Sequence, residues 1–159
     1  MFAIALFSLV LGAQSCPEPS GHSCTCVTNL AFTADTLSAA KSALTNSTAL
    51  FTGRVLTITS KRDSLPTYSP SGSGWMRLSL VVATVLVKDR LKGSLGDTVL
   101  VATSMGAESC GVYLEPSMDY LFDAGSGPSG LLLTSSCGFT RPLPGNTRLL
   151  EVLRRARAE

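Results

Sequence analysis

The sequence predicts a mainly β fold, a five-stranded antiparallel barrel with one or two flanking helices, on three observations. Residues 49–59 and 76–88 alternate apolar and polar positions and are rich in β-branched residues, the period of a half-buried strand. Three further short apolar runs follow, each bounded by Gly, Pro or Asp turns. Helical spacing occurs only before the first strand and after the last. Five strands in a chain of 159 residues fit one small closed sheet of the OB-fold-like class and leave no room for a second independent domain.

In chain order, residues 1–15 are mostly apolar and uncharged and end in Ala13-Gln14-Ser15, which reads as a secretory signal peptide too short to span a membrane. Residues 16–23, Cys-Pro-Glu-Pro-Ser-Gly-His-Ser, form a polar tether. The folded domain is expected over 24–142. A helix is expected over about 35–44, with Asp35 or Thr36 as cap and Leu37, Ala40 and Leu44 on one face. The strand at 49–59 contains Gly53, a candidate bulge. Residues 60–74 hold two prolines and two glycines and predict a long loop. The second strand, 76–88, is followed by a turn at Leu95-Gly96-Asp97 and a third strand at 99–103. Residues 120–122 and 131–134 are the last two strands, joined through the Gly-rich 125–130. The C-terminal segment, 143–159, turns helical from Asn146, with Leu149, Leu150 and Leu153 on one face and Arg148, Arg154, Arg155 and Arg157 largely elsewhere.

Composition narrows the function. Charged residues are 15% of the chain against the ~25% usual in soluble proteins, the net charge is +2 and aromatics are 6%, so neither the electrostatic footprint nor the stacking platform of a nucleic-acid binder is present. Catalysis is poorly supplied: the single histidine, His22, lies in the tether, and no triad, Walker loop, paired-His zinc motif or dinucleotide fingerprint occurs. The protein is therefore expected not to be an enzyme and to need no cofactor or metal of its own. Gly125 to Gly130 is glycine-rich but lies between strands, without the helix N-terminus that holds a phosphate.

The five cysteines carry most of the remaining information. In an exported chain they imply disulfides before metal ligands, although His22, Cys24 and Cys26, with Cys16 as a fourth donor, could hold a soft metal. Five is odd, and Cys16 directly follows the expected cleavage point in a segment, residues 11–16, that loosely resembles a bacterial lipobox. Lipidation of Cys16 would tether the protein to a membrane; ordinary cleavage would leave it secreted, with Cys16 free or paired elsewhere. Cys24 and Cys26 are two apart and share one face of an extended segment, leaving Thr25 on the other. Pairs Cys24–Cys110 and Cys26–Cys137 would clamp that segment onto the barrel as a rigid ridge, each closure contributing up to ~4–5 kcal/mol. Asn46-Ser47-Thr48 is an N-glycosylation sequon, of consequence in a eukaryotic secretory route.

Six motifs in order give a resemblance. Cys24-Thr25-Cys26-Val27 resembles the mature start of the tissue inhibitors of metalloproteinases, netrin-like (NTR) domains with an OB-fold. Phe32 to Asp35, Leu91-Lys92-Gly93, Glu108 to Val112, Tyr120 to Gly125 and Ser136 to Phe139 resemble later segments of that inhibitory domain. The resemblance spans about residues 24–142 and implies a partner, a zinc metalloproteinase, held by a ridge of Cys24, Thr25, Cys26 and Val27 with Glu108 and Ser109 beside it. In that family the first cysteine's free amine and carbonyl chelate the protease zinc and the next residue enters the specificity pocket; here those are Cys24 and Thr25. Thr33 stands where the family carries a third disulfide, and residues 17–23 precede Cys24, so the mechanism requires cleavage after Ser23. A monomeric inhibitor is expected, with a non-inhibitory NTR-like binding module, lipid-anchored through Cys16, as the alternative.

Overall fold

The structure is a computed structural model that describes residues 37–69, 72–105 and 110–159, with only the backbone described for 61–69, 72–78 and 128. The expected signal peptide and tether and the ridge residues Cys24 to Val27, Glu108 and Ser109 lie outside the described residues. The elements are α1 (Leu37–Asn46), β1 (Ala49–Ser69), β2 (Gly72–Lys92), β3 (Thr98–Ser104), β4 (Asp119–Ser126), β5 (Leu132–Thr134), β6 (Arg141–Pro142) and α2 (Thr147–Ala158).

Five strands close into a barrel in the order β1-β2-β3-β5-β4, with β4 returning to β1 and the two-residue β6 added alongside β4. All neighbours run antiparallel except β3 and β5, which pair in parallel through Val101↔Leu132 and Ala102↔Leu133. This corrects the all-antiparallel expectation, and the reason is arithmetic. Strand direction cannot alternate around a closed ring with an odd number of members, so one seam must be parallel. The seam falls where the contact is shortest, at two residue pairs.

The strand β1 has to bend around the barrel, and its register with β2 shifts at Leu50/Phe51, Thr52/Gly53 and Val55/Thr57. Gly53 lies at one of these irregularities, as the sequence suggested. A Cβ there would lie 2.5 Å from Val85 Cγ1 and 2.8 Å from the Leu86 carbonyl oxygen, so the strands approach too closely for any side chain.

Residues 60–69 and 72–74, expected as part of a long loop, instead continue the two strands as a ribbon, paired without a shift from Thr57↔Thr84 to Ser69↔Gly72. β4 leaves β1 at Arg54 and β3 leaves β2 at Leu80, so among the described residues the ribbon has no third strand. Both of its strands are edges there. That is why Pro66, opposite Trp75, is tolerated despite having no N–H to donate.

Two cores share the same strands. Phe51, Val55, Val85, Val101, Tyr120 and Phe122 fill the barrel, with the Phe51 and Phe122 rings stacked at 5.1 Å between centroids and Tyr120 against Phe122 at 5.6 Å. The alternate residues Leu50, Leu91 and Leu121 point outward, and with Phe139 they meet Ala39, Ala40 and Ala43 of α1 and Leu149, Leu150, Leu153 and Ala156 of α2. The expected leucine stripe of α2 is thus its buried stripe. On α1 the alanines carry the closest packing, with Leu37 and Leu44 half-buried at its margins.

Phe122→Ala, which empties a fully buried ring site, is expected to lower stability by ~3–5 kcal/mol in urea unfolding. Leu100→Ala, on an exposed outer position of β3, should stay within ~0.5 kcal/mol.

Candidate functional site

One end of the barrel is closed by residues 110–118, the connection between β3 and β4. Leu114 enters the barrel core as a plug. Two inward hydroxyls pin the segment on either side of it. Thr103 Oγ1, from the end of β3, accepts a hydrogen bond from the Val112 N–H at 2.9 Å. The Tyr120 hydroxyl, from β4, accepts from the Glu115 N–H at 3.0 Å and donates to the Tyr113 carbonyl at 3.3 Å. Burial pushes the Tyr120 pKa up, which keeps the phenol protonated and able to serve both bonds.

Beyond the plug, Pro116 and Ser117, the latter at φ +66°, turn the chain so that the Met118 N–H reaches the Glu115 carbonyl at 3.3 Å. The Ser117 N–H donates to the Val55 carbonyl at 2.7 Å, and the Val55 N–H to the Met118 carbonyl at 3.0 Å. A backbone held this firmly projects Tyr113 into solvent at 81% exposure. On one side of it lies a hollow of about 460 Å³, walled among the described residues by Ile58, Val81, Met105, Val112 and Leu114. On the other lies a more polar hollow of about 470 Å³, walled by Glu115, Met118, Ser136, Thr140 and Arg141.

The same rim carries two of the sequence-predicted cysteines. The Ser136 N–H donates to the Cys110 carbonyl at 2.8 Å, so the segments bearing Cys110 and Cys137 run side by side. Both cysteines are disulfide-bonded. Their expected partners, Cys24 and Cys26, lie outside the described residues, as do Thr25, Val27, Glu108, Ser109 and the lipidation candidate Cys16.

The loop bearing Cys137 is held by Asp123. Its carboxylate accepts from the Phe139 N–H at 3.0 Å and from the Ser47 hydroxyl, while its backbone N–H donates to Thr140 Oγ1 at 2.8 Å. Gly138 makes this possible, because a Cβ there would lie 2.8 Å from Asp123 Oδ2.

Farther out, at the start of β4, Asp119 receives two bonds from the Arg54 guanidinium, each 2.9 Å, and one from Lys88 Nζ at 2.8 Å. The Arg54 hydrogen bonds, seconded by Lys88, hold the Asp119 carboxyl well below the usual carboxylate range. Among the described residues no group of three or more His, Cys, Asp or Glu could hold a metal ion, and no helix is long and apolar enough to cross a membrane.

Fold and rim together define a small OB-fold-like barrel, capped by two helices, with a rigid aromatic rim beside a pair of disulfide-bonded cysteines. No protein-family description and no curated protein matches the chain.

Sequence reasoning did not find Tyr113, Met105 or their anchors Thr103 and Tyr120. The only local signal is an aromatic residue, in a stretch without alternation, three residues before Pro116.

Tyr120→Phe removes both rim hydrogen bonds without emptying the core. The expected loss is ~1–2 kcal/mol by urea unfolding, with faster amide hydrogen exchange at Glu115. Asp119→Asn should lower the urea midpoint at pH 7. Because the folded state favours the ionised carboxylate, the gap from wild type narrows as the pH falls below ~4, through the depressed folded pKa, and narrows also in high salt.

Proposed function

We propose that this chain is an exported, non-enzymatic inhibitor of a zinc metalloendopeptidase, similar to the tissue inhibitors of metalloproteinases, which meets its target with the Cys24-Thr25-Cys26-Val27 ridge. The observation that carries the reading is the pairing at the rim: Cys110 and Cys137 come from segments hydrogen-bonded to each other, and both are disulfide-bonded. Two cysteines at i and i+2, projecting from one face of an extended segment, match such a pair of neighbours. The proposed bonds, Cys24–Cys110 and Cys26–Cys137, would lay the ridge along a rim already stiffened by Thr103, Tyr120 and Asp123.

The chemistry is product-like. A neutral α-amine and the carbonyl oxygen of Cys24 form a five-membered chelate with the target's zinc and displace its water, while Thr25 fills the adjoining pocket and Glu108 and Ser109 flank it. A peptide nitrogen at Cys24 is a poor zinc donor, so inhibition requires processing after Ser23.

The exposure of Tyr113 favours a second reading, a netrin-like module that binds a protein through the rim without touching zinc, secreted or lipid-anchored at Cys16. In either reading the protein acts as a monomer, takes no cofactor and binds no nucleic acid.

Two refolded forms decide between them, one beginning at Cys24 and one at Cys16, each titrated against a panel of zinc endopeptidases. The inhibitor reading expects inhibition only by the shorter form, abolished by carbamylation of its amine and weakened by ~1–3 kcal/mol in Thr25→Gly. Equal potency of the two forms, or no inhibition by the Cys24 form, overturns it. A loss of protein binding in Tyr113→Ala with the disulfides intact would support the second reading.

A further inference from the structure

We infer that Asn46 is an acceptor for an N-linked glycan, in the sequon Asn46-Ser47-Thr48 where α1 hands over to β1. The inference rests on the export part of the proposed function, since the transferase works in a secretory lumen. A sequon by itself is a common accident; the local structure makes this one an accessible site. The Ser47 N–H donates to the Ala43 carbonyl at 2.9 Å and closes the last turn of α1, and the Thr48 N–H donates to the Ala124 carbonyl at 3.1 Å and starts the sheet.

Between these bonds the middle residue is turned inward, half-buried, with its hydroxyl on Asp123, while Asn46 and Thr48 are both exposed. The transferase has to hold the acceptor amide and the hydroxyl two residues on at the same time, and these are the two exposed side chains, Thr48 Oγ1 accepting a long, exposed contact from Ser126 Oγ at 3.4 Å. Among the described residues the Asn46 amide makes one side-chain hydrogen bond, an exposed 3.1 Å contact from Nδ2 to Ser42 Oγ, one turn back in the helix. None of the three residues lines either hollow beside Tyr113, so a glycan here leaves the rim open.

The reaction is a glycosyl transfer from a lipid-linked oligosaccharide pyrophosphate, the co-substrate supplied by the secretory membrane. Asn46 Nδ2 forms a bond to the anomeric carbon, the bond from that carbon to the pyrophosphate oxygen breaks with its electron pair, and the amide gives up one proton. The product is a glycosylated amide and a free lipid pyrophosphate.

The test is cell-free translation of the full chain with eukaryotic microsomes, using either its own residues 1–15 or a strong heterologous leader in their place. Protection from added protease reads translocation, and a mobility shift reversed by peptide N-glycosidase reads the glycan. With the heterologous leader the protected chain should carry one glycan, lost in Asn46→Gln and Thr48→Ala and retained in Thr48→Ser. A protected but unshifted chain, or a shift that survives Asn46→Gln, overturns the inference. Failure of translocation with the native leader alone overturns the export reading and leaves Asn46 standing as an acceptor.

Discussion

A single half-buried residue of β4, Asp123, holds together the exit from α1, the end of β5 and the loop that follows it. One carboxylate oxygen takes the Ser47 hydroxyl at the exit from α1, and the other takes the Phe139 N–H in the loop after β5. Its own carbonyl receives Thr134 Oγ1 at 2.9 Å, from the end of β5, and its N–H reaches Thr140. Three pieces separated in sequence are thereby fixed on one strand of the barrel. Such a cluster is worth having only when every member is satisfied, because each buried polar group left alone would cost ~1–3 kcal/mol. Among the described residues none is left without a partner.

The consequence reaches the rim. With the 137–140 loop anchored to Asp123 through the space that Gly138 leaves, Ser136 is in place to bond Cys110, and two segments far apart in sequence lie together. On the same rim, Thr103 and Tyr120 make residues 110–118 a fixed edge with Tyr113 on it. Rigidity of this kind matters for binding more than area does, since it lowers the entropy lost when a partner docks. An inhibitor that must present a chelating nitrogen at one zinc ion, and a module that presents one tyrosine to a protein surface, both need that edge.

The barrel itself imposes the other constraints. An odd number of strands compels one parallel seam, and the bending of β1 compels irregularities at which Gly53 is required. Because helices cover one outer flank, the segments Ala49-Leu50-Phe51 and Tyr120-Leu121-Phe122 are buried on both faces and read as continuous apolar runs. Farther along β1 and β2 that double burial ends and the ribbon leaves the barrel.

Local pattern was enough to reveal most of the fold. The alternation in residues 49–59 and 76–88, the leucine spacing after Asn146 and the Gly53 irregularity were all legible, because each is a response of a few neighbouring residues to burial on one side. Residues 60–69 and 72–74 depart from the expected loop for the same reason: Pro and Gly argue for a loop locally, whereas cross-strand pairing, a long-range gain, extends both strands. Of the site, the sequence supplied the cysteines and the ridge motif. It could not supply the contact between the Cys110 and Cys137 segments, the hydroxyl anchors of Tyr113, or the inward turn of Ser47 that leaves Asn46 and Thr48 outside. Those depend on which strands become neighbours when the barrel closes, and closure is a property of the whole chain rather than of any stretch within it.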